Sequence, residues 1–144
     1  MDVSELRKRI LRAIDDARKE AAGRRTVVDE AAKAYQQFLE TIAVPLLRQA
    51  AIVLNAEGHG FVVHTPASSA RLAAEKYPET YLEVALDSSG AEPEVVGRVS
   101  ITRGRRGLIL EERPIAVHKS VSALTEEDLS AFLITEVPKL VIKP

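Results

Sequence analysis

Arg103, Arg105 and Arg106, separated by Gly104 and followed by Gly107, are the densest cluster of chemically apt side chains in this sequence. Guanidinium forks match the oxygens of phosphate and carboxylate, and neighbouring glycines let a ligand approach the backbone. These three arginines are the candidate anion-binding site, with a phosphate or a nucleic-acid backbone as the class of ligand. The few aromatic residues do not interleave with them, so a base-stacking platform is not expected. A solvated turn whose arginines pair with Glu92, Glu94 or Glu112 accounts for the same residues without any ligand.

The other reactive side chains converge less. His59 and His64 flank the start of a strand and His118 stands alone, which leaves a metal site short of ligands. Glu111 and Glu112 are adjacent, and adjacent strand residues point to opposite faces, so they do not share a substrate. Glu126, Glu127 and Asp128 read as the acidic first turn of a helix. Gly58-His59-Gly60 lacks the length of a phosphate-cradling loop, and no serine has nucleophile-elbow spacing. No catalytic residue, metal or cofactor is assigned, and the balance leans away from an enzyme.

Composition sets the bounds. The 144 residues fit one folding unit, with no cysteine for disulfides or thiolate chemistry and a net charge of −1. Any anion binding must therefore come from a local cluster. The charged first residues lack the apolar core of a signal peptide, and the longest apolar runs, such as residues 50–54, are short. The expectation is a soluble, cytoplasmic, bacterial-type protein with no membrane partner; nucleic acid is possible as a partner but not favoured.

The elements that must position these residues follow from hydrophobic period. Val3, Leu6, Ile10, Ala13 and Ala17 recur at helical spacing, capped by Ser4 and ended by Gly23. A second helical pattern begins near Thr26 and runs to about Ala56, with Gly58 as its C-cap and Pro45 imposing a kink or a break. Tyr35, Phe38, Ile42 and Leu46 share its apolar face. About 30 residues at 1.5 Å rise make a helix of roughly 45 Å, longer than the 35–40 Å or so across a compact domain of this size. The overhang calls for a partner surface, and a second copy of the chain is the economical one.

From Phe61 the period changes to alternation. Strands are expected at 61–65, 81–86, 95–102 and 107–111, with residues 71–76 leaning to strand. Gly104-Arg105 suits a two-residue hairpin turn, which would pair Ile101 with Leu108 and Val99 with Leu110. Closing the preceding loop at Leu86 and Val95 pairs Leu82 with Val99, and aligns Glu83, Arg98 and Glu111 across three strands. Thr125 opens a capping box before a last helix that stops by Pro138.

The fold class expected is α+β: a long N-terminal helical hairpin, an antiparallel sheet of four or five strands, and a C-terminal helix. Residues 1–57 form the oligomerisation arm and 58–144 the sheet region, together one folding unit. The leading function is an assembly or adaptor protein that homodimerises through Tyr35, Phe38, Ile42 and Leu46. The alternative is anion or nucleic-acid-backbone binding at Arg103, Arg105 and Arg106. An enzyme with its site between sheet and arm is the third.

Overall fold

The computed structural model describes residues 2–102 and 107–142, and its architecture is α+β. One long helix is followed by a five-stranded antiparallel sheet in the order β1-β2-β3-β4-β5 and by a C-terminal helix.

The expected hairpin is instead one continuous helix. Its parts are α1 (Val3–Phe38), a π-helical turn (Leu39–Ala43) and α2 (Val44–Ala56). Asp2, not Ser4, caps the start, its Oδ1 accepting from the Ser4 amide at 3.3 Å. Gly23 does not end the helix. It lies within α1 without the positive φ of a glycine cap, and the Thr26 hydroxyl donates to the Ala22 carbonyl at 3.1 Å across the expected break. Pro45 does not split the helix either. The turn before it widens so that the Val44 amide donates to Leu39, and the proline sits at the start of α2, where its missing N–H costs least. Gly58 at φ 87° then terminates α2, with the His59 amide donating to the Leu54 carbonyl at 2.8 Å. Beyond that turn the Asn55 side chain holds both the amide and the carbonyl of Phe61, which sets the first strand against the helix end.

The strands are β1 (Phe61–His64), β2 (Ala70–Ala74), β3 (Tyr81–Asp87), β4 (Glu94–Thr102) and β5 (Leu108–Pro114). Residues 70–74 are thus strand, as the lean suggested. The β3–β4 register matches expectation, with Leu82 opposite Val99 and Val84 opposite Gly97. The β4–β5 register differs by one residue: Ile101 faces Ile109 and Val99 faces Glu111, not Leu108 and Leu110. A one-residue change inverts every side chain of β5. Glu112 therefore takes the place expected for Glu111 beside Arg98, while Glu111 and Arg113 turn to the helix side of the sheet.

Both helical elements pack on that side. Leu47, Leu54, Leu72, Leu82, Val84, Val99, Leu129 and Phe132 form one buried cluster between them and the sheet. The last helix, α3 (Glu126–Val141), starts at the expected Thr125–Asp128 capping box but runs through Pro138 to Val141. It seats Phe132 directly over Gly97, where an added Cβ would lie 2.1 Å from the ring. Glycine at 97 is the space the ring fills.

Candidate interaction surface

The long helix decides the geometry. Its second half covers the sheet, with Tyr35, Phe38, Leu39, Ala43, Leu47, Ala51 and Leu54 buried. An 18-residue window of the helix reaches mean hydropathy 1.3, and a third of that window is buried inside the protein. The first half projects. Residues 2–20 and 22–30 are exposed, so at 1.5 Å per residue an arm of about 40 Å stands clear of the globule.

Of the residues expected at an oligomer contact, Tyr35 and Phe38 are taken up by the chain's own core at 2% and 4% exposure, and Ile42 and Leu46 are half-buried against it. The Tyr35 hydroxyl donates to the Ser68 carbonyl, with Val84 O a second acceptor at 3.4 Å. Burial, reinforced by the charge of Glu83 and partly offset by Arg98, pushes the phenol pKa up to about 12. These positions fasten the arm to the sheet and leave little surface there for a second chain.

Ile52 and Val53 are exposed near the other end of the helix, but the longer run of uncovered apolar residues lies towards the tip. Val3, Leu6, Ile10, Ile14, Val27 and Val28 are all exposed. Because the two expected helices are one, their stripes join. From Ile10 through Ile14, Ala17, Ala21, Arg24 and Val28 to Ala31, Tyr35 and Phe38 the spacing alternates four and three without a break. Only Arg24 in that series is polar. The opposite face carries the Glu5–Arg9 pair at 3.3 Å and the Asp15–Lys19 pair at 3.2 Å, both of i,i+4 type.

At the base of the arm the stripe runs into a groove of about 1140 Å³. Val27, Glu30, Ala31 and Ala34 form its helix wall. Residues 90–93 of the β3–β4 loop, Glu94 at the start of β4 and residues 118–122 before α3 form the other. Lys119, on that second wall, is committed to Asp128 at 2.8 Å, which leaves Glu30, Glu92 and Glu94 to set an acidic character. The groove occupies the place expected for an enzyme site between sheet and arm. Its hydroxyls Ser120 and Ser122 lie 3.4 Å apart, and among the described residues neither hydrogen-bonds to a histidine or a carboxylate.

The open face of the sheet carries a row that the sequence revealed only in part. His64, Arg71, Glu83, Arg98 and Glu112 stand side by side across all five strands. Glu83 is buried, accepting from Arg71 Nε at 2.9 Å and from Arg98 Nη1 at 3.3 Å; Arg98 also donates to Glu112 at 2.8 Å. The Arg71 guanidinium lies 3.9 Å from the centroid of Tyr81. These long side chains lie among small residues of the same face, and Ala73, Ala85 and Val96 are buried there with no helix over them. The row is a lid on the sheet, and both oxygens of its central carboxylate are occupied.

A second polar cluster joins β5 to α3. Arg113 donates to the buried Glu136 at 3.1 Å and stacks 4.4 Å from the centre of Phe132, with Lys139 3.0 Å from the other Glu136 oxygen. It exists because β5 presents Arg113 inwards. Among the described residues no group of three or more His, Cys, Asp or Glu side chains is placed to hold a metal ion. Arg103, Arg105 and Arg106 lie outside the described residues, so the candidate anion site has no geometry to set beside the arm.

No protein-family model, curated protein or solved structure matches this chain.

Proposed function

We propose that this protein is an assembly or adaptor module that self-associates through its projecting helix. The observation that carries the reading is the apolar stripe from Val3 to Val28, uncovered within the chain on a helix anchored at its other end by Tyr35 and Phe38. An isolated helix in water gains little from propensity alone and is normally stabilised by packing its apolar face. A second copy supplies the same stripe, already matched in spacing. The sheet and α3 then serve as the rigid body that the arm carries.

The experiment is a comparison of wild type with Ile10→Asp/Ile14→Asp by size-exclusion chromatography with light scattering, together with flotation on anionic vesicles. Both positions are exposed in the single chain, so the variant is expected to keep its globule folded and lose association. Equal masses for the two proteins would sink the proposal. So would a monomeric wild type that floats with vesicles, which would assign the amphipathic arm to a lipid surface instead.

A further inference from the structure

The groove at the arm's base and the tip of the arm are complementary, and their relation fixes how two copies meet. We propose that the arms associate antiparallel, so that the first turns of one copy's arm dock in the groove of the other. This inference rests on the self-association proposed above and adds its direction and a second contact.

The globule itself gives the first reason. At 100° per residue, Val3, Leu6, Ile10, Ile14, Val27 and Val28 all point within about a quarter turn of the direction taken by Ala31, Tyr35 and Phe38. The stripe and the sheet are therefore on the same side of the helix. A parallel, in-register copy would bring its own helix base and globule into the space the first globule fills. An antiparallel copy places the two globules at opposite ends, each beyond the other's tip.

Continuity is the second reason. A 3.5-residue stripe drifts about 20° per heptad around a straight helix. By the base it has turned onto Val27, Ala31 and Ala34, which are the helix wall of the groove. A helix following the stripe is led into the groove, with Arg24 the one polar residue of the series on the way.

Charge is the third. The groove presents Glu30, Glu92 and Glu94. The tip carries Arg7, Lys8, Arg9 and Arg12 against Asp2 and Glu5. In a parallel pair the basic tips would lie together; in the antiparallel pair each meets the acidic side chains of the partner's groove. With the tip reaching Ala31 to Ala34, the two-fold axis falls near Arg18 and Lys19.

The natural chain has no cysteine, so disulfide mapping needs no background removal. Residues 6 and 30 of one arm are about 36 Å apart along the helix, so a disulfide between them can form only between copies. Two variants are oxidised after their solution masses are measured: Leu6→Cys alone, and Leu6→Cys with Glu30→Cys. The expected result is a dimer in both, covalent linkage of most of the double variant, and none of Leu6→Cys alone. Dimers in which Leu6→Cys links to itself would make the arms parallel and overturn this inference while leaving self-association standing. Dimers that link in neither variant would overturn it equally. Monomers would remove the self-association reading and this inference with it.

Discussion

Tyr35 is the residue on which the base of the arm depends. Its ring is buried in the core and its hydroxyl serves two backbone acceptors, so the fold holds the neutral phenol. With a pKa raised from 10.0 to about 12, its contribution is complete below pH 10 and is lost as the pH climbs through about 12. Tyr35→Phe is expected to cost roughly 0.5–1.5 kcal/mol at neutral pH and to flatten the alkaline fall in stability. Denaturant titrations at pH 7 and pH 11 check both; a variant that keeps the wild-type alkaline slope would place the titration elsewhere. Glu83 plays the corresponding part on the open face. Glu83→Gln retains the shape but removes the charge that Arg71 and Arg98 share, and is expected to destabilise by roughly 1.5–3 kcal/mol. An unchanged midpoint would mean that the row does not hold the sheet's open face. Half of this row was legible, because strict alternation in β3 and β4 forced Glu83 beside Arg98. Its extension to Glu112 was not. Leu108, Ile109 and Leu110 are apolar at both parities, so the pattern cannot choose which of them faces inwards, and the edge strand turns Leu108 and Leu110 to solvent.

At the scale of elements, glycine separates the two readings of the N-terminal region. Gly-Arg-Arg-Thr looks like a helix end followed by a cap, but an end of that kind needs a positive φ at the glycine, which a sequence does not display. In the continuous helix a Cβ at Gly23 meets nothing within 4 Å. Gly23→Ala is therefore expected to stabilise by about 0.5–1 kcal/mol and to raise helicity. Circular dichroism on thermal unfolding reads both, and destabilisation would restore the hairpin. Gly97 behaves oppositely. Its Cβ would collide with Phe132, which is 1% exposed and has nowhere to go. Gly97→Ala is expected to cost roughly 1–3 kcal/mol, recovered in part by Phe132→Leu. A neutral Gly97→Ala would show that α3 does not sit on β4 as described. The close approach was missed because a strand glycine marks one without naming what approaches.

For the whole molecule, periodicity identified an amphipathic helix too long for its globule but not what each part of its apolar face touches. Tyr35 and Phe38 belong to the same stripe as Ile10 and Ile14, and nothing in spacing alone says that the sheet takes the first pair and leaves the second. The sheet's position decides this, and it moves the surface available to a partner from the middle of the helix to its tip. In the assembly proposed above, a second copy covers this tip. Light scattering or sedimentation equilibrium on the wild-type chain at tens of micromolar tests it most directly. A dimer, about 31 kDa or twice the chain mass of 15.7 kDa, is the result expected. A single species at 15.7 kDa across that range would contradict it.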